Sequence, residues 1–599
     1  MDERYLDHRV TRLDRTDGTI LLTSDYDVPQ PARRVGDWLD KWALRRPDTV
    51  FLAERSGEGW RTLAYGDALA QVRALAAGLL ARGLNSNTPV LILSGNSVDH
   101  GLLAMAAQYV GIPVVPVAEQ YALVPGALKQ LVPILRLIDP RMVFAADGAR
   151  FASALEMEQI AGRDIVVGQS PGAGHTLLSD LMQADTRDVA DAARQVGPET
   201  IAKILMTSGS TSDPKGVITT HGMLCTNQAQ YQAALPFLGQ RAPCIVDWLP
   251  WNHTFGGSSN FNQILANGGS LYIDDGKPVK GLVGRTFENV QMVPATMAYN
   301  VPVGFALLRD EMRTNTALRE AYFKDLDMIF YAGASLPRDV WDDLIAMAVE
   351  VRGETPFMTT CWGLTETAPA CLFQHHPTVQ PGVLGVPMAG VTTKLVPEDG
   401  ARFDVRVKGA NVMPGYFREP VRTAEAFDEE GFFITGDAMC LVDPNDPAKG
   451  LRFDGRISED FKLATGVWVR ATQLRLEMLV ALAGIAADVI ITGEGRDEVG
   501  VLIVPLPTQV ADLAEDDGAI VPGQLRAVIE RALASQSGRG NSNMIRRALI
   551  LAQPPMMAEA ELTAKGNLNF RKVLVRRQAL VDRLYSRVEP CVMHYNADE

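Results

Sequence analysis

Along the first 400 residues, short apolar runs alternate with stretches whose apolar residues recur at helical spacing. Leu69, Val72, Leu75 and Leu79 fall on one helical face, and Gly83 suits the left-handed position after the last turn. The runs T-P-V-L-I-L-S and G-I-P-V-V-P-V that follow are short, branched and apolar, the pattern of strands covered on both faces. The same pattern predicts strands at 202–207, 243–249, 289–293 and 327–331. Such alternation predicts parallel sheets with helices on both sides. Near residue 400 the period falls to two. In R-F-D-V-R-V-K, Phe403, Val405 and Val407 alternate with charges, as in a strand with one wet face. A shorter region with its own helices and strands follows G-R-I-S-E-D at 455–460.

Length and composition narrow this picture. At 599 residues the chain exceeds what one core supports, so two or more domains are expected. With 47 % apolar and 21 % charged residues it reads as globular, not disordered. A formal charge of −14 without a basic block argues against nucleic acid as a partner. The opening residues M-D-E-R-Y-L-D-H-R carry no secretory pattern, and no apolar run reaches membrane-spanning length. A cytoplasmic protein without a membrane partner is the expectation. Six cysteines without a C-x-x-C spacing predict reduced thiols, not disulfides or zinc ligands.

The stretch I-L-M-T-S-G-S-T-S-D-P-K-G-V at 204–217 brings in chemistry. Gly209 admits backbone angles that let successive N–H groups form a concave anion site. Thr207, Ser208, Ser210, Thr211 and Ser212 add hydroxyls, and Lys215 adds a positive charge. A polyphosphate is the ligand that suits such a loop. The G-x-x-x-x-G-K-[ST] pattern is not met, because Lys215 precedes its glycine. On these residues alone such a loop is a plain surface turn more often than a phosphate site.

Further motifs follow in order: L-P-W-N-H-T-F-G-G at 249–257, Y-A-G-A-S-L-P at 331–337, W-G-L-T-E-T at 362–367, T-G-D at 435–437 and G-R-I-S-E-D-F-K at 455–462. Together with the 207–217 loop, this ordered set resembles the adenylate-forming superfamily of acyl- and aryl-CoA synthetases, luciferases and peptide-synthetase adenylation domains. The likeness covers nearly the whole chain. D-W-L-P-W-N-H-T-F-G-G, N-G-G-S-L-Y-I-D-D-G-K-P and D-F-K-L-A-T-G-V-W-V look most like the feruloyl-CoA synthetase branch. Ser258, Ser259 and Asn260 stand where that branch carries N-H-N, which would open the acyl pocket to a different aromatic acid.

The resemblance implies an α/β fold. A large N-terminal domain (1–454) would hold parallel α/β subdomains plus a distorted antiparallel β-barrel. A hinge at 455–460 would join it to a small, mobile α+β domain at 461–599. The implied activity is ATP-dependent conversion of an aromatic carboxylic acid, feruloyl-like or a related arylalkanoic acid, through acyl-AMP to its CoA thioester, with release of AMP and pyrophosphate. ATP, Mg²⁺ and coenzyme A would serve it. Joining a carboxylate to a polyphosphate is opposed by anion repulsion, so positioning and charge neutralisation are the main tasks.

Site roles carry over residue by residue. Thr207, Ser208, Gly209, Ser210, Thr211 and Lys215 would hold the phosphates, and Gly333, Ala334 and Ser335 would border adenine with Trp362 and Gly363. Thr365 would donate to the α phosphate, Glu366 would ligate the metal, and Asp437 with Arg456 would take the ribose. His253 would gate the reacting carboxylate beside acyl walls Phe255, Val293 and Gly333. Ser458 would be the hinge point, with Lys462 and Gly466 serving thioester formation. Near the end, T-A-K-G-N places Asn567 where lysine follows glycine in the family, so Lys565 becomes the candidate catalytic amine. Read singly, Glu366 is more often a helix-start carboxylate, a reading that the motif context reverses, and Asp437 reads as a turn aspartate. Two other readings stay open: loading of a separate carrier protein, and a silent AMP-binding scaffold. Assembly is left between monomer and homodimer.

Overall fold

The computed structural model describes residues 5–207, 214–279, 281–378, 380–536, 539–563, 567–586 and 590–595. The candidate site residues Ser208, Gly209, Ser210, Thr211 and Lys565 lie outside them. Among the described residues, the strands Val90–Leu93 and Val114–Val117 are parallel neighbours at the centre of a seven-stranded sheet. Val90 and Ile92 enter one hydrophobic core while Leu91 and Leu93 enter another. Uninterrupted apolar character is therefore the signature of a strand with no wet face. The helix Tyr65–Ala81 buries Val72, Leu75 and Leu79, leaves Leu69 at its margin, and is followed by Gly83 at φ +74°.

The strand Ile201–Thr207 pairs parallel with Val114–Val117 and antiparallel with Lys215–Thr220. Thr207 lies opposite Lys215, and Lys215–Thr220 is the outermost strand of this sheet. A second sheet of eleven strands begins in parallel register with Met297–Asn300, Met328–Tyr331 and Phe357–Gly363. It turns antiparallel at Ala370–Phe373 and runs on through Val383–Pro387, Leu451–Arg456, Phe433–Leu441, Arg402–Lys408 and Thr392–Asp399. The antiparallel half thus continues the parallel one. Gly363 sits at the changeover, where a Cβ would run into the Pro369 carbonyl oxygen of the returning chain.

One predicted strand is corrected. Residues 289–293 belong to the end of the helix Val283–Met292, and the strand comes later, at Met297–Asn300. Thr286, Asn289, Val290 and Val293 are buried, which is helical spacing. The branched residues Val290 and Val293 imitated a strand because the polar Thr286 and Asn289 complete the buried face.

After residue 460 the chain forms separate cores around a six-stranded sheet, with Val499–Pro505 and Ile545–Leu551 at its centre and Ala486–Thr492 along one edge. The joint is held by a buried cation. Arg402, 5 % exposed, donates to Asp460 at 2.6 Å and pairs with Glu398 at 3.2 Å and Asp454 at 3.4 Å. Asp460 in turn accepts from the backbone N–H of Ala471, which opens the helix Ala471–Ala481. Burial raises both Glu398 and Asp460 above the ordinary carboxylate range, with Arg402 pulling each back. R402M removes the buried cation that pairs with all three carboxylates and leaves them only the more exposed Arg470, 3.8 Å from Asp454. Its unfolding free energy, read from urea denaturation, is expected to fall by about 3–5 kcal/mol.

Candidate active site

Strand ends and the turns after them carry the chemistry. The strand Phe357–Gly363 ends in the short 3₁₀ turn Thr365–Thr367, which leaves Thr365 and Glu366 half-buried at its tip. Tyr416 donates its hydroxyl to Glu366 Oε1 at 3.1 Å. Burial, then the Glu366 charge, hold this phenol far above its ordinary pKa, so it remains a donor. Lys215 lays its ammonium over the other side of the system, 4.6 Å from the Tyr416 ring centroid. Lys215, Tyr416 and Glu366 form one continuous contact, with Thr207 across the hairpin from Lys215.

Asp437 lies on Phe433–Leu441, in the antiparallel part of the same sheet, and is 1 % exposed. The Trp362 indole donates to its Oδ2 at 2.9 Å. Arg456, its register partner on Leu451–Arg456, places Nε 3.1 Å from Oδ1 at an angle too oblique for a hydrogen bond. Burial raises Asp437 above the ordinary carboxylate value, Arg456 and Trp362 lower it, and the nearby Glu366 raises it again. Oδ1 is therefore a buried acceptor without a hydrogen-bond donor among the described residues, beside a guanidinium that is 45 % exposed. A ligand hydroxyl is the kind of group that would complete it. Gly333, Ala334 and Ser335 form an exposed turn after Met328–Tyr331, with Gly333 at φ +87°.

The acyl-side candidates sit on a wide turn. Thr254–Asn260 is π-helical and wholly buried, with His253 as its N-cap. His253 Nδ1 accepts from the backbone N–H of Phe255 at 3.3 Å, which places the proton of a neutral ring on Nε2. Phe255 packs against Tyr299 and Phe330, at 6.2 and 5.8 Å between ring centroids. Phe330 belongs to the strand that ends two residues before Gly333, so this wall and the exposed turn share one element. Val301 is the residue nearest Gly333, 3.8 Å from where its Cβ would stand; Val293 is buried at the end of its helix. Ser458 lies exposed in the turn Ile457–Glu459. Lys462 packs its ammonium 4.9 Å from the Trp468 ring centroid across a two-stranded hairpin, whose tip holds Gly466 at φ +81°.

Sequence reasoning passed over three residues here. Tyr416, which joins Lys215 to Glu366, left only an unremarkable G-Y-F as its signal. Asp247 accepts from Asn260 at 2.9 Å and from the Leu249 N–H at 3.0 Å, and burial pushes it up to about 7. Lys203 interrupts the apolar run I-A-K-I-L-M, an anomaly visible in the sequence. It is 6 % exposed and donates to the Gly257 carbonyl at 2.6 Å.

Fold and cluster together define an AMP-binding, adenylate-forming enzyme. The chain belongs to the family of AMP-binding enzymes: that family's pattern matches residues 39–417, and the pattern of the AMP-binding enzyme C-terminal domain matches 469–589. Among curated relatives, 4-coumarate–CoA ligase 5 of Oryza sativa subsp. japonica is 25 % identical over 68 % of this chain and 73 % of its own length. The peroxisomal long chain acyl-CoA synthetase 7 of Arabidopsis thaliana is 23 % identical over 77 % of this chain and 70 % of its own. A carboxylic acid reductase of Mycobacterium marinum is 24 % identical over 79 % of this chain, which spans 43 % of that longer protein. In fold, the chain is similar to ATP-bound MatB from Rhodopseudomonas palustris (TM-score 0.69, 20 % identity, 93 % of this chain and 100 % of that one). It is also similar to O-succinylbenzoate coenzyme A synthetase from Bacillus subtilis in complex with AMP (TM-score 0.66, 17 % identity, 91 % and 98 %). No helix among the described residues is long and apolar enough to cross a membrane.

Lys203 makes a pH prediction. Burial lowers its pKa from the usual 10.5 to about 7, and the groups facing it, His100 and His221, are themselves lowered to about 4 and about 3. Between pH 7 and 10.5 the unfolded chain keeps this proton while the folded chain has released it. Stability from this group therefore rises with pH across that window, by at most about 1.4 kcal/mol per unit, and its cost is complete below pH 7. K203M removes the titration. Compared by urea midpoints, its stability relative to the wild type is expected to be most favourable at pH 7 and to decline steadily towards pH 10.

Proposed function

We propose that the protein activates an aromatic carboxylic acid with ATP and transfers it to coenzyme A, releasing AMP and pyrophosphate. One observation carries this reading. Thr207, Lys215 and Glu366, linked through Tyr416, lie within electrostatic reach of the Asp437–Arg456 pair, so stretches distant in sequence offer cation, carboxylate and buried acceptor in one region. Such a set suits a nucleotide triphosphate: donors and charge at the phosphate end, an acceptor pair at the ribose.

Glu366 fits a magnesium ligand. Tyr416 engages only Oε1, and no group of three His, Cys, Asp or Glu among the described residues could hold a metal alone. A hard cation bound by one carboxylate and completed by phosphates is the usual arrangement for Mg²⁺. When bound, the ion would screen the repulsion between the two anions. Lys215 and Thr207 would orient the β and γ phosphates, with residues 208–211 between them. Asp437 and Arg456 would fix the ribose, and Trp362, with its indole edge committed to Asp437, would offer its face to adenine. His253, Phe255 and the Gly333 turn would hold the acid so that its carboxylate reaches the α phosphate, where Thr365 donates. Lys565 would supply the amine that neutralises the charge growing on the reacting oxygens.

We place a hinge at 455–460 and, on the far side, a domain that turns to bring Lys462 and Gly466 into the second step. The 25 % identity to a 4-coumarate–CoA ligase supports an aromatic acid and CoA; the likeness to carboxylic acid reductases keeps a separate carrier protein as the competing acceptor.

A panel of cinnamic, benzoic and arylalkanoic acids with ATP, Mg²⁺ and CoA is expected to yield AMP and pyrophosphate, with an aromatic acid giving the highest kcat/KM. ADP as the product would overturn the reading, and AMP release without any thioester to CoA would favour the carrier. E366Q should slow acid-dependent pyrophosphate release by about 10²-fold or more. K565A should suppress adenylation yet leave thioester formation from preformed acyl-AMP close to wild type; adenylation that survives it excludes Lys565 as the catalytic amine.

A further inference from the structure

A lysine inside an apolar strand needs a reason. Ala202, Lys203, Ile204 and Leu205 are all buried on Ile201–Thr207, and burial alone drives the shift in the lysine's pKa, with no carboxylate offsetting it. Around the ammonium lies a cavity of about 30 Å³, lined among others by His100, Gln108, Trp251 and Asn262, with room for about one or two waters. Trp251, one of its walls, buries its Nε1 without an acceptor among the described residues. Replacing a buried charge by an apolar side chain of similar size is often neutral or stabilising. Stability therefore does not account for a lysine at this position, whereas its hydrogen-bond partner does.

That partner, the Gly257 carbonyl, belongs to the π-helical turn Thr254–Asn260. A Cβ on Gly256 would strike the Leu249 carbonyl oxygen and one on Gly257 that of Trp251, so the turn passes hard against the loop segment that feeds it. Gly256 and Gly257 themselves bring no side chain to anchor the middle of the turn. From one side Asp247 holds Asn260. From the other, the lysine holds Gly257. Lys203 is also four residues upstream of Thr207 on the same strand.

We propose that Lys203 is a positioning residue, whose hydrogen bond to Gly257 ties the strand leading to the phosphate loop to the turn that presents His253 and Phe255. The tie sets how far the acyl side stands from the phosphate side. It acts on the acid, and it leaves the nucleotide contacts of Lys215, Glu366 and Asp437 alone. The kinetic part of this inference rests on the function proposed above; the structural part does not.

The test compares wild type, K203M and K203R in full-length protein. Folding is checked by a cooperative urea transition, and K203Q takes the place of K203M if that variant does not fold. In K203M, amides of residues 254–260 should exchange hydrogen at least tenfold faster, KM for the preferred acid should rise at least tenfold, and KM for ATP should stay within twofold. K203R keeps a charged donor, and the adjoining cavity accommodates its extra atoms, so acid KM should return to within about threefold of wild type. Unchanged amide exchange at 254–260 overturns the tie. Faster exchange with unchanged acid KM overturns its role in placing the acid, as does an equal rise in the KM of acid and ATP. A wild type that releases no pyrophosphate with any acid defeats the functional reading instead, and the exchange measurement still decides the tie.

Discussion

A carboxylate with 1 % exposure must find donors or give up its charge, and much of this structure is arranged around that demand at Asp437. Its donor, Trp362, ends the parallel part of the eleven-stranded sheet; its cation, Arg456, ends a strand of the antiparallel part. The two halves are locked in register where they meet the carboxylate. Arg456 also leads directly into the turn Ile457–Glu459, so the same contact sets where the chain leaves for its last domain. Asp437 keeps a lowering influence from both partners and a raising one from Glu366, which ties the buried acceptor electrostatically to the next part of the site.

The same logic recurs at two other points. Arg402 gathers three carboxylates beside the chain's exit, and Lys203 reaches one carbonyl in the turn that carries His253. In each case one buried ionisable group joins segments far apart in sequence, and in each case the strand bearing it is otherwise apolar or alternating. A buried charge costs more than an apolar contact but accepts only a narrow range of partners and distances, so it specifies geometry where apolar packing would tolerate slippage. An enzyme that must bring two anions together has use for that kind of precision.

Much of the fold was legible along the chain. Strands covered on both faces show as continuous apolar runs, and Val90–Leu93 and Val114–Val117 lie where those runs stand. The period-two stretch near residue 400 forms the strand Arg402–Lys408, although its first residue is a buried arginine that alternation assigned to water. The misplaced strand at 289–293 failed because buried polar residues completed a helical face that a search for apolar residues does not see. Motif strings pointed to Trp362, Asp437 and Arg456, which the fold brings into contact, since turns and strand ends keep small residues and charges in readable strings.

What the sequence determined by itself was local: which stretches are apolar on both faces, where glycines allow turns, and which motif strings stand in order. Those properties depend on neighbours a few residues away. Only the tertiary structure decided that Tyr416 bridges Lys215 to Glu366, that the Trp362 indole serves Asp437, and that Val301 lies nearer Gly333 than Val293 does. These are distances between segments up to two hundred residues apart, set by how sheets stack and where strands end. Burial, which turns a lysine in an apolar run from an oddity into a constraint, is likewise a property of the whole packed chain and of no single stretch within it.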